Sequence, residues 1–214
     1  MNEMTPLSPR FAAILERARN HPPLPVAVVD AHEAHVLAGV VEASDYGLKA
    51  EILQNAIDLA RILGVDRPKA AALSAIELVK QSIPSTLDAA CLSKMAQRGQ
   101  ITHAEVDGPL AFDNAISSDA ARIKEINSTV AGDADILLAP NLDAGNILAK
   151  NLEYLAGATL AGIVIGVSVP LMLTSRSDPP AARLMSAAIA VLLHQHWGAD
   201  GVSLVAAPMT GDEP

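Results

Sequence analysis

ILQNAIDLARILGVDRPKAAALS, residues 52–74, sets a helix, a stop and a strand in immediate succession. Ile52, Ala56, Leu59 and Leu63 recur at the three-to-four spacing that places them on one helical face. Gly64 follows where a left-handed C-terminal cap belongs. Beyond Pro68 the run Lys69–Ser74 is short, apolar and bounded by a breaker, which predicts a buried strand. An amphipathic helix feeding a short, continuously apolar strand is the building unit of a parallel sheet covered on both faces.

Working outward, the same alternation continues. Further strands are predicted at Pro25–Val29, Ile136–Ala139 and two pieces of Gly162–Thr174. A helix is predicted from Pro84 to a stop at Gly99, with Ser85 capping in concert with Asp88 and with Leu87, Cys91, Leu92 and Met95 as its buried face. Others are predicted at Asn114–Asn127, Ala144–Leu155 and Pro180–Trp197. The fold class is α/β, a mostly parallel sheet flanked by helices.

The composition narrows the function. Half of the 214 residues are hydrophobic, enough for one sizeable core or two small ones sharing a cleft, and the net charge is -9. That charge opposes binding to nucleic acid or to an anionic membrane, and with aromatics at 2% stacking platforms for bases are lacking. Cys91 is the single cysteine, which excludes an internal disulfide and points to a reducing, cytoplasmic setting. The opening MNEMTPLSPRF has neither the basic patch nor the apolar run of a secretory signal. The most apolar stretch, Leu160–Thr174, is too short and too rich in breakers to span a bilayer.

Three clusters carry candidate chemistry. In Leu173–Pro179, LTSRSDP, an apolar strand gives way to polar residues and then to a helix. Asp178 is a candidate N-cap and Pro179 suits the first helical position, which would set Ser175 and Arg176 beside helix N–H groups as an anion site. A surface arginine beside a capped helix is an equally good account. In Val106–Ala115, VDGPLAFDNA, Gly108 and Pro109 read as a turn. Asp107 and Asp113 then either enter one cleft for acid–base work or open the turn and cap the next helix. In Pro140–Ile147, PNLDAGNI, Gly145 permits close backbone approach, and Asn141 and Asn146 are candidate partners for a carbonyl or phosphate oxygen, with Lys150 one turn further on. The spacing fits neither a Walker loop nor a dinucleotide fingerprint.

Other residues read as structural. His32 and His35 share a helical face but lack a third metal ligand. His194 and His196 read as surface residues, Cys91 as core, and Asp133 and Asp135 as turn residues rather than magnesium ligands. No metal site is expected.

The three clusters occur in an order that resembles the phosphate acetyltransferase and phosphate butyryltransferase family: VDGPLAFDNAI at 106–116, VAGDADILLAPNLDAGNILAKNL at 130–152, and LTSRSD at 173–178. ILQNAIDLARILGVDRPKAAALSAIE at 52–77 and IPSTLDAA at 83–90 extend the similarity and look closer to the butyryl branch. More weakly, PVAVVDAHEAHVLAGVVEA at 25–43 joins it.

The resemblance implies an isocitrate/isopropylmalate dehydrogenase-like topology with a truncated first domain. It divides the chain into a remnant of the N-terminal α/β domain at 1–48, a second α/β domain at 49–175, and a C-terminal helix with tail at 176–214. Near Tyr46–Lys49 family members continue the first domain with further strands and a Lys-Gly and His-bearing segment, whereas this chain passes directly into the later helix. The implied reaction moves an acyl group between coenzyme A, a substrate rather than a cofactor, and phosphate. Ser175 and Arg176 match the pair that contacts the phosphoryl group, and Asp107, Asp113, Asn141, Gly145, Asn146, Lys150 and Ser177 are the candidate substrate-binding residues. Acetyl-specific members place an aspartate in the following helix as the proposed base. Here Pro179–Arg183 supply none. A homodimer is implied; the alternative is a catalytically impaired remnant that binds coenzyme A or phosphate, or serves as a dimerisation scaffold.

Overall fold

The computed structural model describes residues 9–20, 46–166, 170–175 and 178–200. In chain order its elements are α1 (Pro9–Arg19), α2 (Tyr46–Ile62), β1 (Lys69–Leu73), α3 (Pro84–Gln97), β2 (Glu105–Leu110), α4 (Phe112–Ile116) and α5 (Ser118–Ile123). There follow β3 (Ile136–Leu138), α6 (Leu142–Tyr154), β4 (Ile163–Val164), β5 (Leu171–Met172) and α7 (Pro180–Asp200). Two compact units result, Asp30–Lys150 and the pair of segments Met1–Val29 and Asn151–Pro214. The predicted strand Pro25–Val29 and the pair His32 and His35 lie outside the described residues.

The Asp30–Lys150 unit is built on a parallel sheet in the order β2-β1-β3. Alternation along β1 buries both faces: Ala70 and Ala72 join Leu53, Ile57, Ala89 and Leu92 of α2 and α3, whereas Ala71 and Leu73 join Leu110, Ala115 and Val130. Alanine along this strand leaves room for helices to lie close to the sheet. Asp135 ties the entrance of β1 to that of β3, its Oδ2 accepting from Lys69 N at 2.9 Å while its own N–H donates to Lys69 O at 2.8 Å. Asp133 accepts from Lys69 Nζ at 2.7 Å, and that bond raises the lysine pKa above its ordinary value. Both aspartates thus have structural partners on Lys69.

Two helix stops behave as read. Gly64, at φ 101°, donates to Arg61 O while Val65 donates to Ala60 O. Gly99, at φ 75°, donates to Ala96 O while Gln100 donates to Met95 O. Both are paired i−3 and i−5 bonds that close a helix through a left-handed residue.

Four local expectations need correction. Residues 105–110 form strand β2, not a turn at Gly108–Pro109. Proline is admissible because β2 lies at the end of the described strand order. Glycine is required because a Cβ at position 108 would lie 2.7 Å from Ala72 O and 3.1 Å from Ala89 Cβ. Second, α3 is capped at Ile83 without a side-chain bond, and Pro84 stands in its first turn. Its buried residues are Thr86, Ala89 and Leu92; of the expected face Leu92 is buried and Met95 packs on the core, whereas Cys91 is only half-buried. Small Ala89 faces the sheet where Gly108 comes close. Third, the helix predicted over Asn114–Asn127 is two short ones, broken at Ser117, whose side chain accepts from Ala120 N. Fourth, α7 begins at Pro180, where the predicted span Pro180–Trp197 begins, so Pro179 does not take the first helical position, and the Ala182 N–H bonds to Pro179 O.

In the other unit, α1 packs on α7, burying Ile14 and Leu15 together with Met185, Ile189 and Leu193. β4 and β5 pair antiparallel. Ser186, fully buried, donates to Ala182 O at 2.9 Å and accepts from Gly162 N at 3.1 Å. His194 and His196 are exposed. Among the described residues no helix is long and apolar enough to cross a membrane.

Candidate functional site

Ligands of open α/β sheets bind beyond the carboxyl ends of the strands, where neighbouring connections leave toward opposite faces. The Asp30–Lys150 unit has such a point between β1 and β3. From β1 the chain runs to α3, whose Ala89 and Leu92 pack on one face. From β3 it runs to α6, whose Leu148 packs on the other. A hollow opens there, lined by Ala72 and Leu73 of β1, by Leu138 of β3 and by Ala139 just beyond it. Its free volume is about 10 Å³, close to the room that one water needs.

Polar side chains from three segments reach this place. The Lys49 ammonium of α2 is paired with the Asp88 carboxylate of α3, 39 residues further along, and both side chains are 20% exposed. Ser85, in the first turn of α3, shares a 2.8 Å hydrogen bond with Ser74 at the end of β1. Lys49, Ser85 and Asp88 all line the hollow. Ser85 is therefore no helix cap. Sequence reasoning missed these three as a group because the Lys49–Asp88 contact is long-range; the one local signal was a serine and an aspartate three residues apart on the same helix.

The remaining candidates fall as follows. Asp107 lies in β2 opposite Ala71, half-buried, its Oδ1 accepting from Gly108 N at 2.8 Å. Asp113 stands inside α4, whose cap is Ala111, and pairs with Lys124. That ammonium lowers the Asp113 pKa, and Asp113 in turn raises that of Lys124. Neither aspartate opens a turn or caps a helix as the structural alternative held. Asn141 Oδ1 accepts from Ala144 N at 2.9 Å and so caps α6. A Cβ at Gly145 would sit 3.3 Å from Ala139 Cβ, so this glycine lets α6 lie close to the end of β3. Asn146 is exposed and Lys150 half-buried on the same helix.

Asn114, fully buried, donates to Glu77 Oε2 at 3.3 Å, and its Oδ1 has no partner among the described residues. In the other unit, Ser175 N donates to Asp178 Oδ2 at 2.6 Å, and Asp178 N donates to Ser175 O at 3.1 Å. Asp178 thus braces the Ser175 turn. Pro179 and Pro180 have no N–H, so anion binding in this turn would rest mainly on side chains. Arg176 and Ser177 lie outside the described residues. No group of three or more potential metal ligands occurs among the described residues.

Residues 38–191 match the family model described as "Phosphate acetyl/butaryl transferase". The chain is 57% identical over 148 residues to the phosphate acetyltransferase of Rhizobium meliloti, covering 69% of this chain and 47% of that protein. It is 48% identical over 147 residues to the probable phosphate butyryltransferase of Bacillus subtilis, covering 69% and 49%. The crystal structure of a branched-chain phosphotransacylase from Enterococcus faecalis V583 superposes with a TM-score of 0.64 at 37% identity, over 71% of this chain and 55% of the other. The chain spans about half the length of the curated relatives it matches.

Proposed function

Because the chain belongs to the phosphate acetyl/butyryltransferase family, we propose that it moves an acyl group between coenzyme A and phosphate. The observation that carries this reading is the family match across residues 38–191, which takes in both the hollow and the Ser175–Asp178 turn.

In the proposed reaction the coenzyme A sulfur attacks the carbonyl carbon of an acyl phosphate. A C–S bond forms, the C–O bond to phosphate breaks, the phosphate leaves with the electron pair, and the thiol proton passes to the departing phosphate. Ser175 and Arg176 contact the phosphoryl group, for which a guanidinium offers two parallel donors. Asp178, bonded to the Ser175 amide, positions that turn. Asp107, Asp113, Asn141, Gly145, Asn146, Lys150 and Ser177 are the proposed substrate-binding residues. Coenzyme A is a substrate and no further cofactor is invoked. The reading also takes the dehydrogenase-like topology, the cytoplasmic setting and pairing of two copies from the family resemblance.

Supplying the chain with acetyl phosphate and coenzyme A tests the proposal. Formation of acetyl-coenzyme A that requires both substrates supports it. No product from the folded chain overturns it, and would favour a remnant that only binds these ligands.

A further inference from the structure

We propose that Lys80 is the lysine of this chain that accepts activated acyl groups, its amine taking the acyl group of an acyl phosphate. This rests on the acyltransferase reading for the source of the reagent, but the choice of lysine stands on the Asp30–Lys150 unit alone. An ammonium must shed a proton before its nitrogen can attack, and a hydrogen-bonded carboxylate opposes that loss. The chain has six lysines, all among the described residues. Lys49 is paired with Asp88. Lys69 bonds to Asp133 at 2.7 Å, and Lys124 bonds to Asp113 and Glu77. Those bonds raise the pKa of both lysines. Lys94 donates to Gln97 Oε1 at 3.0 Å, and Lys150 is half-buried on α6.

Lys80 differs from these five. It is exposed, and among the described residues no hydrogen bond or ion pair holds its ammonium. Glu77, the one acid in the connection 75–83, is taken by Asn114 and Lys124. The backbone is fixed all the same: fully buried Thr86 accepts from Lys80 N and donates to Lys80 O, each at 2.9 Å. The amine is therefore presented from a pinned turn. That connection leaves the carboxyl end of β1, the end of such sheets at which substrates bind. In the step, neutral Lys80 Nζ attacks the carbonyl carbon of the acyl phosphate. A C–N bond forms, the C–O bond to phosphate breaks, and the phosphate leaves with the electron pair and takes up the amine proton. The product amide no longer carries the lysine charge.

The test is incubation of the full chain with acetyl phosphate, with acetylation at each lysine followed in time by peptide mass spectrometry. Lys80 is expected to be labelled fastest, and Lys80→Arg to lose that site with no other lysine taking its place. Asp133→Asn, which removes the charge that Lys69 pairs with, is expected to raise the rate at Lys69 severalfold and to leave Lys80 unchanged. Another lysine labelled first, equal rates at all six, or no labelling overturns the assignment. A Lys69 rate unmoved by Asp133→Asn overturns it too, since pairing is what sets Lys80 apart. A second arm supplies acetyl-coenzyme A with and without inorganic phosphate. Labelling of Lys80 that requires phosphate supports the acyl phosphate made by the chain as donor; labelling without phosphate contradicts it and makes the thioester the donor. No labelling in this arm, with Lys80 still labelled by added acetyl phosphate, counts against the acyltransferase reading while leaving Lys80 as the acceptor.

Discussion

Lys124 Nζ lies 3.1 Å from Asp113 Oδ2. The same ammonium lies 3.3 Å from Glu77 Oε2, so one side chain joins the loop after β1 to the helix after β2. Asp113 has its pKa lowered, so its contribution is full above the ordinary carboxylate value of about 4 and is lost as pH falls through the depressed one. Lys124 has its pKa raised, so its contribution is full below about 10.4 and is lost as pH rises through the elevated one. The join therefore acts across the neutral range. Lys124→Met is expected to lower the melting temperature at pH 7, with the difference from wild type shrinking in strong acid. Equal differences at both pH values would show that the lysine acts through packing rather than charge.

Gly108 is the point where β2, β1 and α3 come closest. The Cβ of Gly108→Ala would meet Ala72 O at 2.7 Å, and Ala72 is held in register with Leu138 of β3. A loss of about 1–3 kcal/mol is expected, read as a lower urea midpoint with an unchanged slope. An unchanged midpoint would contradict the close approach.

Ser186→Ala removes the acceptor for Gly162 N in the unit built on α1 and α7. Leaving this part-buried N–H unpaired is expected to cost about 1 kcal/mol, the low end for a buried donor. Thermal denaturation is expected to show the loss, and Ser186→Thr to restore part of it if the hydroxyl can reach the same partners.

Much of this architecture was legible because it rests on local rules. The helix containing Ile52–Leu63 and its stop at Gly64, the strands at Lys69 and Ile136, and the stop at Gly99 all follow from periodicity and from the left-handed freedom of glycine. β2 was not legible. Gly108–Pro109 has the local chemistry of a turn, and only the approach of Ala72 and Ala89, which are distant in sequence, explains why it is a strand. The buried stripe of α3 was read correctly at Leu92, but Ala89 was missed for the same reason, since a helix resting on a strand interrupted by glycine turns its small residue inward. At the site, Ser85 and Asn141 both carried capping chemistry. Local sequence had no means of telling that Asn141 caps a helix while Ser85 bonds to Ser74 across the end of a strand. Lys49 and Asp88 were invisible as a pair because the fold alone brings them together.

Arg176→Ala tests the phosphoryl contact. Loss of a charged donor to a developing oxyanion is expected to lower kcat/KM for phosphate by about 100-fold or more. Arg176→Lys should recover only part of it, because an ammonium lacks the paired donors of guanidinium. Unchanged kinetics would place the phosphate elsewhere.

The most direct measurement is release of free thiol from acetyl-coenzyme A, followed with and without inorganic phosphate. The account predicts release that depends on phosphate and is matched by accumulation of acetyl phosphate. A folded chain that releases no thiol in a phosphate-dependent way from acetyl-, propionyl- or butyryl-coenzyme A would contradict it.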